Sequence, residues 1–294
     1  WDGTTWLPRT TPVAPPPRVN AAMVYDVARR RTVLFGGDRQ GVRLADTWEW
    51  DGLRWAERLG AGPPARDHHG LAYDSRRQRV VLYGGYSYSS SVASLLSDVW
   101  EWDGTSWMQR PSSGGPGPRA GFGLAFDADS GRVILVGGAS SGGSTYPLEA
   151  WEWDGVSWSL SRGAPLPQLE LDPKLVWDDT RRRLTLVVSL ETRALTGTQW
   201  AAFKPSYRQG GAVAFDSRRG VLVLFGGHNI AGAGITNETW EWNGSVWSLR
   251  TPPSSPPVRY GGGLAFDAAR QRVVLFGGST KLKQPGGVVG DDFD

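Results

Sequence analysis

The phrase DTWEWDGLRW (46–55) returns as DVWEWDGTSW (98–107), EAWEWDGVSW (149–158) and ETWEWNGSVW (238–247). Self-similarity of this kind marks a structural repeat, and it limits the possible folds more than any composition does. Within the phrase, period-two alternation puts both Trp on one face of a strand and the Glu on the other. Asp-Gly or Asn-Gly then supplies a two-residue hairpin turn, expected with φ > 0 at both central residues. The last Trp falls on the returning strand.

A second series fixes the rest of the unit. Asp26, Asp74, Asp127, Asp178, Asp216 and Asp267 follow one another at intervals of 48, 53, 51, 38 and 51 residues. A Gly/Ala-rich run precedes the Asp, as in GLAYD (70–74), and a short apolar run follows it, ending in Gly-Gly in five copies and in Val188-Ser189 in the fourth. Each unit therefore reads as four antiparallel strands: A before the Asp, B the apolar run, C the tryptophan phrase and D its return. Pro-rich connectors such as PVAPPPR (12–18) lie between D and the next A, outside the ladder, because proline has no N–H to pair. The fourth unit diverges: ETRALTGTQW (191–200) keeps Gly197 and Trp200 but has Arg193 and Leu195 for the paired Trp.

Six such sheets cannot each bury two faces alone, but stacked around an axis they can. The expected fold is all-β, a six-bladed β-propeller of four-stranded antiparallel blades in a single domain, 1–294. The chain opens on WDGTTW and closes on DDFD. Written end to start, these align with DTWE and WDGLRW, with Phe293 at the first Trp, Asp294 at the Glu and Trp1 at the second Trp. The last blade is thus expected to be closed by strands from both termini.

Gly-Gly after an apolar strand, an aromatic strand C and a Trp on strand D resemble the kelch repeat along essentially the whole chain. The doubled Trp departs from the single Tyr common in that family and is similar to bacterial kelch-like proteins. The resemblance implies binding. The family includes substrate-recruiting adaptors, actin-associated proteins, a copper radical oxidase of galactose and a sialic acid mutarotase, and the fold does not choose among them.

Composition removes several classes. Cysteine is absent, which excludes disulfides, thiolate metal sites and the Tyr–Cys cross-link of the galactose oxidase comparison. Basic and acidic residues number 32 and 29, interspersed, for a net charge of +3, so no nucleic acid partner is expected. No run of 18 apolar residues exists to span a membrane. The only histidines are His68, His69 and His228, without metal-ligand spacing. No phosphate loop, dinucleotide fingerprint or nucleophile elbow appears, so no cofactor is expected. The absence of Cys and the arginine-heavy composition suggest a bacterial, extracytoplasmic protein, and a monomeric domain is expected.

The tryptophans recur in every regular unit, which suits cement between blades better than sugar platforms. Burying one removes about 150–250 Å² from water, roughly 4–6 kcal/mol before entropy. The arginines differ. Arg18, Arg66, Arg119, Arg208 and Arg259 stand eight residues before the Asp, and Glu170 takes that place in the fourth unit. They are expected to ring one mouth of the channel, either as a funnel for an acidic ligand or as braces to Glu49, Glu101, Glu152, Glu241 and Asp294. Where Arg is lost, the Glu position is Ala194. Connections D–A and B–C emerge on one face, so Asp67, His68, Tyr86, Tyr88, Tyr146, His228, Asn229 and Tyr260 are candidate ligand contacts. Two readings follow. One is a non-enzymatic propeller that binds a protein or glycan ligand, including an acidic one, on this face. The alternative is a sugar-acid isomerase or mutarotase in the central funnel, with Glu170 as base.

Overall fold

The structure is a computed structural model that describes residues 1–89, 92–111, 114–140, 149–161, 172–188, 192–196, 199–203, 209–229 and 234–281. Every regular element among them is a β-strand, and no helix is long and apolar enough to cross a membrane. The repeats form five four-stranded antiparallel sheets, each in the order A-B-C-D. The first contains Ala22–Asp26, Arg31–Phe35, Thr47–Trp50 and Trp55–Arg58. The others begin on the inner strands Gly70–Asp74, Gly123–Asp127, Lys174–Asp178 and Ala212–Asp216. The divergent fourth repeat still makes a complete blade, Lys174–Asp178, Arg183–Val187, Thr192–Thr196 and Gln199–Phe203. The molecule is a β-propeller.

The expected count of six blades is corrected to five. After the fifth comes a two-stranded sheet, Gly263–Asp267 with Arg272–Phe276, whose inner strand packs between those of the first and fifth blades. The Trp1 backbone bonds to Val273 in both directions, at 2.7 and 2.9 Å. Phe293 and Asp294, where a last blade shared by both termini is expected to join, lie outside the described residues.

Strand B is apolar because neighbouring sheets cover both its faces; Val33, Leu34, Val80, Val81, Leu82 and Leu135 are fully buried. The tryptophans link each blade to the one before. The second Trp of the phrase packs at a tilt against the Trp of strand D, 5.5 Å between ring centroids, in Trp50–Trp55, Trp102–Trp107 and Trp153–Trp158. The strand D indole meets the last residue of the preceding blade's strand B edge-on, as in Trp107–Phe35 (5.4 Å) and Trp158–Tyr83 (5.1 Å). Each buried indole N–H needs an acceptor. Trp107 donates to Thr47 Oγ1 (2.8 Å), Trp6 to Thr239 Oγ1 (2.9 Å) and Trp247 to Thr192 Oγ1 (2.9 Å), each Thr opening strand C of another blade.

The second blade has Val99 at the Thr position, and the Trp158 indole N–H that faces it is left without a partner. Val99→Thr keeps the shape of the side chain and supplies the missing oxygen. It is expected to stabilise the protein by about 1 kcal/mol, read as a rise in the urea midpoint, and Thr47→Val to cost a similar amount.

At the turn end of the blades the charges form a second lattice. Asp26 accepts the Arg29 backbone N–H (2.9 Å) and its Nε (2.8 Å), which caps the A–B turn. Arg29 then reaches Glu49, which also accepts Arg58 Nε (2.9 Å) and the Trp102 indole of the next blade (3.1 Å). Arg77, Asp74, Glu101 and Arg110 repeat this, as do Arg219, Asp216, Glu241 and Arg250. The hairpin turn differs from the expected pair of positive φ angles: Gly52 has φ 93°, and Asp51 instead caps the turn by accepting the N–H groups of Leu53 and Arg54. The glycine of this turn has a second reason. At Gly104 (φ 102°) a Cβ would lie 2.6 Å from Cδ of Arg29, which reaches over from the first blade.

Candidate functional site: the loop face and the channel

Four of the ring arginines, Arg18, Arg66, Arg119 and Arg259, are buried under the loop face. Arg66 donates Nε to Pro64 O (3.0 Å), Nη1 to Gly84 O (2.9 Å) and both terminal nitrogens to the two carboxylate oxygens of Asp98, each at 2.7 Å. Arg18 does the same with Pro16, Gly36 and Asp46. The brace therefore exists with a different partner. Glu49 and Glu101 sit at the turn end of strand C and are taken by Arg29 and Arg77; Asp46 and Asp98 precede strand C at the loop end, where the ring arginines lie. Arg119 bonds the carbonyls of Gly137 and Pro116, with Glu149 at 3.9 Å. Arg259 bonds those of Gly277 (2.9 Å) and Pro257 (3.2 Å). None of these four faces the channel. Arg208, Tyr146 and Glu170 lie outside the described residues.

Two residues beyond each ring position the chain turns left-handed: Asn20 (φ 55°), His68 (53°), Gly121 (61°), Asp172 (60°), Gly210 (68°) and Gly261 (67°). These residues join blade to blade through Gly261 N–H to Gly210 O (2.9 Å), Asn20 to Gly261 (2.8 Å), His68 to Asn20 (3.1 Å) and Gly121 to His68 (2.9 Å). Asn, Asp and His are the side chains that tolerate this conformation best, and here Asn20 and Asp172 take it at the channel rim.

Outside the rim, Asp67, His68, Tyr86 and Tyr88 come together. Asp67 is 1% exposed, and its Oδ1 lies 3.4 Å from Nδ1 of half-buried His68. The His68 ring meets Tyr86 edge-on at 5.8 Å. Arg43 bridges the first two blades, with Nη1 2.9 Å from Asp38, Nη2 3.1 Å from Asp67 and its guanidinium 3.8 Å above the Tyr88 ring. Burial opposes ionisation of Asp67, but His68 and Arg43 outweigh it and hold the carboxyl below its usual range. Two hairpins rise here, Asp38–Arg39 with Val42–Arg43 and Tyr86–Ser89 with Val92–Leu95, presenting exposed Val42 and Tyr88. His228 and Asn229 belong to a fifth-blade hairpin, and Tyr260 pairs with Ser279 beside the two-stranded sheet, so these three sit in other sectors.

The six inner strands enclose a cavity of about 410 Å³. Aligned on their Asp, they place Ala22, Gly70, Gly123, Ala212 and Gly263 at one level and Lys174 at that level in the fourth blade. Lys174 Nζ lies 2.5 Å from Asp172 Oδ1. The rim residues Asn20 and Asp172, the bridge Arg43 and the channel lysine are additions to the candidates read from sequence. Comparing the inner strands position by position would have exposed Lys174. Among the described residues no group of three or more His, Cys, Asp or Glu is arranged to hold a metal ion.

No protein-family model and no curated protein matches the chain. Solved structures do. The one titled "Structure of YjhT" shares 15% identity over 92% of this chain and 93% of that chain, with a TM-score of 0.69. At that identity the likeness establishes the fold alone: both chains are β-propellers.

Proposed function

We propose that the protein is a kelch-like binding propeller, without turnover, that recognises a protein or glycan on its loop face between the first and second blades. The observation that carries this reading is the Arg43 bridge, which fixes two hairpins against buried carboxylates and leaves Tyr88 and Val42 exposed on a rigid base. Tyrosine on a rigid scaffold offers large contact area at low entropic cost. The described ring arginines are engaged with Asp46, Asp98 and backbone carbonyls, so the reading assigns them to stability and not to an acidic ligand.

The test is a glycan array and a displayed peptide library screened with the parent protein. Tyr88→Ala and Val42→Asp are expected to abolish the best hit. Leu53→Ala, on an exposed turn at the opposite end of the blades, is expected to keep it. The reverse pattern, or a hit indifferent to all three, refutes the assignment.

A further inference from the structure

The divergent fourth blade puts chemistry into the channel that the regular blades lack. At the level where five inner strands carry Ala or Gly it carries Lys174, and one residue beyond the anchor it carries Asp179, where the others have Val27, Ser75, Ala128, Ser217 and Ala268. Lys174 and Asp179 are among the side chains that line the cavity, at opposite ends of one strand. Lys174 is paired at 2.5 Å with Asp172, whose place on the rim is held by glycine in three other repeats. The inner strands pair only on their outer side, with strand B. Their free edges therefore turn unpaired N–H and C=O groups toward the axis, and these need polar partners.

We infer that the central cavity binds a neutral, monosaccharide-sized polyol, anchored by the Lys174–Asp172 pair. The pair offers a donor and an acceptor side by side, which matches vicinal hydroxyl groups that each donate and accept. A ligand carboxylate held by Lys174 would also meet Asp172 beside it. A ligand ammonium would meet Lys174. A ligand dense in hydroxyls also satisfies the free strand edges, and the cavity volume of about 410 Å³ suits a single sugar ring. This site is separate from the loop-face cluster at Tyr88.

The test is calorimetric titration of the full chain with glucose, galactose and mannose, against glucuronate and glucosamine as charged counterparts. At least one neutral sugar is expected to bind with a dissociation constant of about 10 mM or below. Lys174→Ala and Asp172→Asn are each expected to weaken it by about tenfold or more. The charged counterparts are expected to bind about tenfold more weakly than the neutral sugar. Alanine is native at this level in the first and fifth blades, so Lys174→Ala leaves the fold intact, and an unchanged melting temperature verifies this. Tyr88→Ala is expected to leave sugar affinity unchanged, which separates this site from the loop-face reading. Failure of all three neutral sugars to bind, unchanged affinity in either channel variant, or glucuronate binding as well as its neutral parent overturns the inference.

Discussion

Asp98→Ala is expected to lower the unfolding free energy by about 3–5 kcal/mol, among the largest single-residue losses in the protein. The reason is what it leaves behind. The Arg66 side chain is fully buried and gives both terminal nitrogens to Asp98. Without that carboxylate, a guanidinium stays in the interior with only the carbonyls of Gly84 and Pro64 as partners. Burial opposes ionisation of Asp98, yet Arg66 outweighs it and holds the carboxyl below its usual range. The depressed value sets the sign of the pH dependence: the stabilisation is complete above the unfolded carboxylate range and fades as pH falls through the folded value. The third blade provides the control. Its carboxylate, Glu149, is half exposed and stands 3.9 Å from Arg119, so Glu149→Ala is expected to cost no more than about 1 kcal/mol. Urea denaturation of both variants decides the matter. Equal losses would mean that the pairing geometry contributes nothing.

The brace also shows what the repeat pattern makes legible and what it hides. Recurrence located the strands, the turns and the packing tryptophans, because each role needs the same residue type in every blade. It did not distinguish Asp98 from Glu101. Both recur in one phrase three positions apart, and the fourth repeat, which lacks the ring arginine, points to the wrong one: it has Ala194 at the Glu101 position but keeps an acid, Glu191, at the Asp98 position. The direction of strand C resolves them: it enters from the loop face, which places Asp98 beside Arg66 and Glu101 beside Arg77. The number of blades was less legible. Six inner hairpins are present, but a blade also needs strands C and D, and after Arg272–Phe276 the described residues supply no further strand of the C–D kind. The candidate site was legible at Asp67, His68, Tyr86 and Tyr88, where loop residues break the pattern. It was not legible at Arg43, because its role comes from a contact between blades that no periodicity encodes. Lys174 lay in plain view as the exception among Ala and Gly, masked by reading the fourth repeat as degenerate.

His69→Phe is expected to abolish most of the loss of stability that the protein undergoes between pH 6.5 and 4.5. His69 is 7% exposed and packs edge-on against Phe35 at 5.4 Å, and neither ring nitrogen has a well-formed hydrogen bond, a weak contact with the Phe35 backbone raising its pKa only slightly. It fills the place that Phe122 fills one blade later, edge-on to Tyr83 at 5.6 Å. Burial first, and then the positive charge of Arg66, lower its pKa from 6.5 to about 3. The folded state therefore takes up this proton only near pH 3, whereas the unfolded chain takes it up below 6.5. Between these values the unfolded state binds more protons, so stability falls as pH falls, by about 1.4 kcal/mol per unit, and levels off below the folded value. Going from pH 6.5 to 5, the parent is expected to lose about 2 kcal/mol more than the Phe variant. This window lies above the depressed carboxylates such as Asp98, whose contribution is common to both proteins. At pH 7 the variant is expected to be at least as stable as the parent, since Phe brings the ring without two unsatisfied nitrogens. Urea midpoints at pH 7, 6 and 5 test both statements. Parallel pH profiles for parent and variant would show that His69 finds a proton acceptor in the folded state, and that the interface between the first two blades is not the acid-labile part of the ring.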